Sequence, residues 1–331
     1  MPNKFIIIDL ANTFSRAKHA APRNSQLHDR IGFALHTTIA CIHQAWKAHT
    51  GTHVVICAEG KNNWRKQFYA PYKQNRAEKR ALMTPTEREE DSLFFEALGE
   101  LVEFVKTKTN CTFLQHDRVE ADDLIGGWIQ HHPHDSHVIT STDTDFDQLL
   151  AHNVVQYNGV TKELHSLDGI FDQTGRRIID KKTGMPIVPN PSWILFNKLI
   201  RGDSNDNVAS AYPKIRLKST KKKIGIIEAY ENANKQGDAY NNFMNQQWND
   251  SDGTIHIVGQ DFARNTTLID LSAQPPEIRQ IINLTVQEQC TPKNRGMVGI
   301  KFMRFCTKNE LIKMAEQSSI YSHMLNESYP G

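Results

Sequence analysis

Three short apolar runs in this chain each finish beside an acidic residue. Asp9 lies near the end of FIIIDL, Glu59 ends VVICAE, and Asp143 directly follows HVITST. Continuous apolar runs of this length are typical of strands that are buried on both faces, as in parallel sheets. A parallel sheet brings the carboxyl ends of its strands to one edge, where open α/β sheets bind ligands. The sequence therefore predicts an α/β fold with three acids at one edge.

A second acidic group stands before the third of these strands. Glu120, Asp122 and Asp123 open a segment with helical apolar spacing, and Asp145 joins Asp143 beyond the strand. Carboxylates this close raise one another's pKa unless a cation neutralises them. Oxygen-only ligands suit a hard ion such as Mg²⁺ or Mn²⁺ rather than zinc. The pattern indicates a divalent-metal site.

The same acids have a simpler interpretation. Acidic residues at a helix start complement the helix dipole without binding anything. That accounts for Glu120 and Asp122 separately, but it does not explain why a second acidic pair follows the next strand.

The bulk composition places the chain among ordinary globular proteins. Its 331 residues suggest about two domains, with 39% hydrophobic and 23% charged residues. No apolar run is long enough for a transmembrane helix, and Asp9 breaks the N-terminal run, which reads as a strand rather than a signal peptide. The five cysteines are scattered without a CxxC pair, which favours a reducing cytosolic compartment.

Basic residues are locally concentrated although the net charge is only +2. Residues 61–80 carry seven Lys/Arg and one acid, and residues 214–223 carry six Lys/Arg and no acid. Such segregation indicates a nucleic-acid partner.

In the stretch 61–80, Trp64, Phe68 and Tyr72 are spaced by four among these cations. Aromatic faces stack on unpaired bases while cations bind phosphate. The equally weighted alternative is a surface helix whose apolar stripe packs on the core. Pro71 interrupts any helix here, which favours a bent or mobile excursion over a packed helix.

A third acidic pair, Asp203 and Asp206, lies in RGDSNDNV. Alone it predicts an Asx turn or a helix cap; beside the other acids it is a candidate for completing a second metal site. The turn-rich residues 159–192 predict hairpins or an irregular linker. We place the domain boundary there, with an α/β domain over 1–185 and a helical domain over 186–331.

Six motifs, in this order along the chain, resemble the flap endonuclease / 5′→3′ exonuclease superfamily. They are FIIIDL with Asp9, AEGK with Glu59, PYKQNR (71–76), VEADDL (119–124), STDTDFDQL (141–149) and RGDSNDNV (201–208). Within that superfamily, RGDSNDNVAS is similar to the ribonucleases H of T-even bacteriophages, as are NTTLIDLSAQPP (265–276) and FMRFCTKNELIKM (302–314).

The resemblance implies a PIN/5′-nuclease-like fold: a mainly parallel central sheet flanked by helices, a helical arch at about 61–95, and a smaller helical C-terminal domain with a helix-turn-helix-like DNA-binding region. It implies two Mg²⁺ ions, which Mn²⁺ can replace, held by Asp9, Glu59, Glu120, Asp122, Asp123, Asp143, Asp145, Asp203 and Asp206. It places Tyr72, Lys73 and Arg76 near the scissile phosphate. Nucleic acid is expected to contact Trp64, Arg65, Lys66, Arg80, Lys214, Arg216, Lys218, Lys221 and Lys222.

Three departures from the family pattern stand out, and one is that residues 159–192 form a longer segment than expected, with no role assigned. Glu59 occupies a position where Asp is usual, and VASAYPKIRLKSTKKK lacks the glycines of the family's duplex-binding hairpin. Lys and Arg side chains would have to replace the backbone contacts of that hairpin.

The implied activity is metal-dependent hydrolysis of phosphodiesters near 5′ ends. The expected partners are duplex DNA, RNA–DNA hybrids and 5′-flap structures, with RNA-primer removal during phage DNA replication as the task. A single-stranded-DNA-binding protein is a further partner implied by resemblance, and a monomer in the host bacterial cytoplasm, away from membranes, is expected. Two alternatives stay open: a non-catalytic, structure-specific DNA-binding protein, and a PIN-like ribonuclease.

Overall fold

The structure is a computed structural model that describes residues 2–220, 223–235 and 237–331. It separates into two compact units. The first comprises Met1–Asn63, Met83–Pro189 and Ile278–Gly331, and the second comprises Trp64–Leu82 and Asn190–Glu277.

The first unit is built on one seven-stranded sheet. Its strands are β1 (Lys4–Asp9), β2 (His53–Cys57), β3 (Thr112–Leu114), β4 (Ser136–Thr140), β5 (Val154–Asn158), β6 (Glu163–Ser166) and β7 (Gly169–Phe171). They lie in the order β3-β2-β1-β4-β5-β6-β7. β1 to β5 are parallel, and β6 and β7 extend the sheet as an antiparallel hairpin. The predicted mainly parallel α/β sheet is confirmed.

The register of the central strands explains why acids gather at one edge. Asp9 at the end of β1 lies opposite Cys57 at the end of β2, and Ile8 lies opposite Thr140 at the end of β4. The side chains of Ile6, Ile7 and Ile8 are fully buried, as both faces of a central parallel strand must be. The residues that follow these strands therefore emerge side by side.

Helices make up most of the chain outside the strands. They are α1 (Leu10–Ala20), α2 (Leu27–Ala48), α3 (Trp64–Phe68), α4 (Gln74–Ala81), α5 (Pro85–Lys108), α6 (Ala121–His131), α7 (Pro191–Arg201), α8 (Ile226–Ala233), α9 (Asp238–Met244), α10 (Val258–Ile269), α11 (Pro276–Gln289), α12 (Val298–Lys308), α13 (Ile312–Glu316) and α14 (Ser318–Asn326). A 3₁₀ helix covers Thr144–Leu149, and β8 (Gln247–Asn249) pairs with β9 (Ile255–Ile257).

The C-terminal helices share the core of the first unit. Phe302 and Phe305 of α12 and Met324 of α14 belong to the same buried cluster as Ile6 and Phe104. The Phe104 and Phe305 rings stack at 4.6 Å between centroids. Burial of these apolar faces stabilises the packing of residues 278–331 against the sheet. The boundaries of the two compact units therefore differ from those of the predicted domains 1–185 and 186–331.

The predicted arch segment, 61–95, is also divided. Its first part, α3 and α4, belongs to the second unit, whereas α5 belongs to the first. Thr84 accepts the Glu87 backbone N–H and Pro85 occupies the first turn, so α5 has a capped start of its own. Because α5 starts at its own cap, the part of the segment that belongs to the second unit ends at Leu82.

The second unit has its own small core. Phe196 of α7, Ile226 of α8, Phe243 of α9 and Val258 of α10 pack together in it. The helical character expected of this part of the chain is present, with the short β8–β9 hairpin added. No helix among the described residues is both long and apolar enough to cross a membrane.

Candidate active site

Asp9 anchors the carboxyl edge of the sheet in the first unit. It is the last residue of β1 and the N-cap of α1, where its carboxylate accepts the Asn12 backbone N–H at 3.1 Å. Its other oxygen accepts the Ser141 hydroxyl at 3.0 Å, and only 6% of the residue is exposed. A strand that passes directly into a helix thus holds this carboxylate fixed at the sheet edge.

The electrostatics of Asp9 show which acids are its neighbours. Burial raises the pKa of Asp9 to about 6, hydrogen bonds from Asn12 and Ser141 oppose the rise, and the charges of Glu59 and Asp143 add to it. The charges of two carboxylates that follow other strands therefore act on Asp9 at the sheet edge.

Asp143 is fixed by the segment that follows β4. Its carboxylate caps the 3₁₀ helix by accepting the Asp145 backbone N–H at 3.0 Å. The Gln156 side chain of β5 donates to the carbonyls of Ser141 and Asp143, at 3.2 and 2.6 Å. The Asn12 side chain accepts the Thr142 N–H at 3.1 Å, which ties this segment to α1.

Glu59 is exposed on a loop after β2. The Gly60 N–H donates to the Val119 carbonyl at 3.0 Å, and the Gln115 side chain donates to the Glu59 carbonyl at 3.1 Å. A Cβ at Gly60 would stand 2.2 Å from the His116 carbonyl oxygen, so only glycine permits this approach. The contacts place Glu59 beside the loop that leads to α6.

The acids at the start of α6 have unequal surroundings. Asp123 is completely buried and its carboxylate accepts the Glu120 backbone N–H at 3.2 Å, which stabilises the helix start. Asp122 is half-buried. Burial raises the pKa of the Cys57 thiol well above its ordinary value, and the charges of Asp9 and Asp122 raise it further. Asp122 therefore belongs to the same negative field as Asp9.

The donor chemistry of this edge fits a divalent cation. Asp9 is a desolvated carboxylate repelled by two others, and a hard cation would relieve that repulsion. Within residues 2–220, 223–235 and 237–331, no three His, Cys, Asp or Glu side chains form a ready coordination group. Asp9, Asp123 and Asp143 each turn one oxygen to a backbone N–H.

Asp203 lies in a tight turn of the second unit. It exchanges backbone hydrogen bonds with Val208 at 2.9 and 2.7 Å, and Gly202 has a φ of 72° with no room for a Cβ. The Asp203 carboxylate accepts the Asn205 N–H at 2.8 Å and forms an ion pair with Lys198 at 3.0 Å. Burial alone would raise the pKa of Asp203, but the Lys198 charge and these hydrogen bonds lower it.

Asp206 gathers the side chains that the sequence placed near the scissile phosphate. Its carboxylate accepts the Tyr72 hydroxyl at 2.9 Å and pairs with Arg76 at 2.6 Å and Lys73 at 3.6 Å. The Lys73 N–H donates to the Asp206 carbonyl at 2.8 Å, which holds Lys73 in a left-handed conformation with φ 56°. Two segments 130 residues apart in the chain are therefore joined around one carboxylate.

Two side chains also donate to backbone carbonyls between these two segments. The Asn75 side chain donates to the carbonyls of Ser204 and Asn205, both at 3.2 Å. The Asn207 side chain donates to the Pro71 carbonyl at 2.8 Å. We call residues 71–76 together with 203–208 the latch.

Two predicted nucleic-acid contacts are wrong. Trp64 and Arg65 are 3% and 2% exposed, and the Arg65 guanidinium donates to the Leu268 carbonyl at 2.7 Å. A side chain so enclosed presents neither a stacking face nor a free charge to nucleic acid. These two residues therefore pack against the protein interior, as the alternative interpretation of this stretch predicted. The bend expected at Pro71 is present between α3 and α4.

The other cations assigned to nucleic acid are at the surface. Lys66, Arg80, Lys214, Arg216 and Lys218 are exposed, whereas Lys221 and Lys222 lie outside the described residues. The loop that carries the later group closes through hydrogen bonds from Ile226 to Arg216 and from Ile227 to Leu217, at 2.9 and 3.1 Å. Their contact with nucleic acid stays a prediction.

Sequence reasoning missed the polar residues that hold the acids in place. Asn12, Ser141 and Gln156 make the cross-strand contacts around Asp9 and Asp143. A helix-start Asn and a Ser directly after a strand are weak signals for such roles. Nothing in the local sequence distinguishes Gln156 from any other strand residue.

The first unit combines a mainly parallel sheet with carboxylates at its carboxyl edge. Residues 4–177, more than half of the chain, match the family model described as the 5′-3′ exonuclease, N-terminal resolvase-like domain. The chain belongs to this family, as its motifs predicted.

Two phage proteins are similar in sequence. The flap endonuclease of Escherichia phage T5 is 29% identical over 205 residues, which cover 61% of this chain and 63% of that protein. The ribonuclease H of Enterobacteria phage T4 is 26% identical over 204 residues, covering 56% and 57%. The similarity thus spans roughly three-fifths of each relative's length.

Solved structures of phage T5 proteins share the fold. One, a T5 protein co-crystallised with metal ions, has a TM-score of 0.59 at 21% identity and covers 87% of this chain and 100% of its own. Another is the T5 flap endonuclease in a pseudo-enzyme-product complex with DNA and metal ions, with a TM-score of 0.58 at 21% identity and coverage of 86% and 98%.

Proposed function

We propose that this protein is a metal-dependent 5′→3′ nuclease that hydrolyses phosphodiesters near the 5′ ends of flaps, nicked duplexes and RNA–DNA hybrids. Primer removal during phage DNA replication is the task that fits these substrates. The observation that carries the proposal is the shared field of Asp9, Glu59, Asp122 and Asp143 at the carboxyl edge of the sheet. A protein that only bound phosphate would gain nothing from such concentrated negative charge.

The proposed metal ligands fall into two groups. Asp9, Glu59, Asp122 and Asp143 would hold a first Mg²⁺, with Glu120 and Asp123 supporting α6 behind them. Asp145, Asp203 and Asp206 would hold a second. When bound, two divalent ions lower the pKa of attacking water and neutralise charge that develops on the phosphate.

The remaining chemistry belongs to the chain's own side chains. Lys73 supplies a positive charge to the phosphate in the transition state, and Asp206 orients that ammonium beforehand. Arg76 shares the same carboxylate and is more exposed, which suits it to binding a neighbouring phosphate. Tyr72 is buried and positions this segment through its hydroxyl.

The decisive experiment compares wild type with Asp143→Asn. Asparagine keeps an oxygen that accepts the Asp145 N–H, so the 3₁₀ helix should stay capped while one negative ligand is lost. We expect cleavage of a 5′-flap duplex in Mg²⁺ to fall by about 10³-fold or more with DNA binding retained. Asp168→Asn, an exposed acid of the same unit, is the matched control.

Three substrates separate the proposal from its alternatives. A 5′-flap duplex, an RNA–DNA hybrid and single-stranded RNA are each incubated with and without Mg²⁺. Mg²⁺-dependent cutting of the first two supports the proposal. Binding without cutting would make the protein a structure-specific DNA-binding protein, and cutting of single-stranded RNA alone would make it a PIN-like ribonuclease.

A further inference from the structure

The β7 extension, residues 172–188, carries no role in the proposed reaction. It has four Lys/Arg and two acidic residues, and it continues the edge strand of the sheet in the first unit. Backbone hydrogen bonds join three short segments to one another. The N–H groups of Ile178, Ile187 and Ile170 donate to the carbonyls of Ile170, Ile178 and Ile187, at 2.8, 3.0 and 3.1 Å. The extension is thus a small structure held together by backbone hydrogen bonds.

The strand directions place one end of this extension at the acid-bearing edge. β6 is antiparallel to β5 and β7 is antiparallel to β6, so β7 runs in the same direction as β1 and β4. The chain therefore leaves β7 at the carboxyl edge. Phe171 pairs with Arg177, and the turn between them puts Arg176 and Arg177 at that same edge. His165 of β6 pairs with Asp147 at 2.8 Å, which connects the hairpin to the 3₁₀ helix after Asp143.

The two acids of the extension accept hydrogen bonds in its turns. Hydrogen bonds from Thr174 and from the turn backbone lower the pKa of Asp172, and the Arg176 charge adds a smaller contribution. Asp172 accepts the backbone N–H groups of Thr174 and Arg176 at 2.7 and 3.0 Å, and Asp180 accepts those of Lys182 and Thr183 at 2.7 and 3.1 Å. In each carboxylate these turn bonds fall on Oδ1. The Arg176 and Arg177 side chains are exposed, and the Arg177 guanidinium lies over the Phe171 ring at 5.8 Å. That ring supports a planar cation in an orientation suited to phosphate.

We infer that Arg176 and Arg177 contact the phosphate backbone of the substrate, several nucleotides from the bond that is cut. The substrate class rests on the proposed nuclease function. Neighbouring strands are about 4.8 Å apart, so β7 stands roughly 14 Å from β4 and roughly 19 Å from β1. A duplex strand has one phosphate per about 3.4 Å of axis, which sets the contact about four to six nucleotides from the scissile position.

The opposite end of the extension supplies a matched control. Lys181 and Lys182 lie in the Asp180–Gly184 turn, at the end of the returning segment and away from the carboxyl edge. The test pair is R176Q/R177Q, the first control is K181Q/K182Q, and each removes two positive charges. A second control, K47Q/K108Q, removes two exposed charges from the C-terminal ends of α2 and α5, which precede β2 and β3.

Binding is measured by fluorescence anisotropy of a 5′-flap duplex in EDTA over a KCl series. Each lost phosphate contact lowers the slope of log binding constant against log salt concentration by about one. The slope for R176Q/R177Q should therefore be smaller by about two, and this variant should bind the flap about tenfold or more weakly at 0.1 M KCl. Both controls should follow the wild type. In Mg²⁺ the same variant should raise KM and leave kcat unchanged. Thermal melts of all three variants verify folding.

Single methylphosphonate linkages locate the contact. A neutral linkage about four to six nucleotides from the cut should weaken wild-type binding, and R176Q/R177Q should be insensitive to it. Equal losses in K181Q/K182Q, or a wild-type salt slope in R176Q/R177Q, would overturn the inference.

Failure of the inference and failure of the proposed function give different results. Because binding is measured without cleavage, a wild-type protein that binds the flap but never cuts it would refute the function and leave the contact standing. A wild-type protein that cuts, paired with an R176Q/R177Q variant of unchanged salt slope, would refute only the contact.

Discussion

The Tyr72 hydroxyl donates to the Asp206 carboxylate at 2.9 Å, across 134 positions of the chain. The phenol is 4% exposed, so this hydrogen bond is made in a largely dry setting. Tyr72→Phe should lower the free energy of unfolding by about 1 kcal/mol, the usual net value of such a bond. Asp206→Ala should cost about 2–4 kcal/mol, because three donors lose one acceptor. Urea titrations measure both.

The control for the latch is Glu231→Ala, an exposed acid on α8 in the same unit. Its removal should change the unfolding free energy by less than about 0.5 kcal/mol. An Asp206→Ala variant as stable as Glu231→Ala would show that the carboxylate does not hold the latch together.

Lys73 should matter for turnover more than for affinity. Its Nζ lies 3.6 Å from the Asp206 carboxylate and its side chain is only 12% exposed, so it is preorganised rather than freely mobile. We expect Lys73→Ala to lower kcat by about 10²–10³-fold, as loss of one electrostatic donor does, with little change in the dissociation constant. Single-turnover cleavage and anisotropy on the same flap substrate separate the two effects. Exposed Lys235→Ala, in the same unit, is the matched control; loss of affinity alone in Lys73→Ala would make it a positioning contact.

Asp9 should destabilise the metal-free protein. Its pKa is raised to about 6, first by burial and then by Glu59 and Asp143. Folded Asp9 keeps its proton up to about pH 6, whereas the unfolded side chain loses it near pH 3.8. The stability of the metal-free fold should therefore decline as pH rises through this interval.

Asp9→Asn removes that charge and keeps an acceptor for Asn12. At pH 7.5 in EDTA the variant should be about 1–3 kcal/mol more stable than wild type by urea unfolding. Added Mg²⁺ should raise the thermal midpoint of wild type and not that of the variant. A variant that is less stable in EDTA would mean that the carboxylate is structural, and retained Mg²⁺ stabilisation would remove Asp9 from the metal site.

His53 should produce the opposite pH trend at the other edge of the sheet. Burial lowers the pKa of His53 to about 4, with a smaller contribution from Lys293. Its Nδ1 lies 3.1 Å from the Glu327 carbonyl and its Nε2 accepts the Thr112 N–H at 3.2 Å, which requires a neutral ring. The unfolded side chain gains a proton near pH 6.5 and the folded one near pH 4, so stability should fall as pH drops through this range.

The measurement is the difference in unfolding free energy between wild type and His53→Gln at pH values from 7.5 to about 4. Its pH-dependent part should reach at most about 3 kcal/mol in favour of the variant at the acid end. A difference that stays constant with pH would show that His53 does not titrate as burial requires.

Local sequence patterns are enough to predict the sheet and its acid-bearing edge. Apolar runs bounded by polar residues specify buried parallel strands, and parallel strands must align their carboxyl ends, so Asp9, Glu59 and Asp143 meet with no further information. The bend at Pro71 follows equally from local chemistry.

The surroundings of the remaining residues depend on long-range packing. Whether Trp64 and Arg65 face solvent or core depends on partners some 200 residues away, such as Leu268, which no local pattern specifies. The same holds for Asp206, whose carboxylate meets Tyr72 and Lys73, and for α12, whose apolar face packs on α5. Periodicity shows that a face will be buried, but long-range packing selects what covers it.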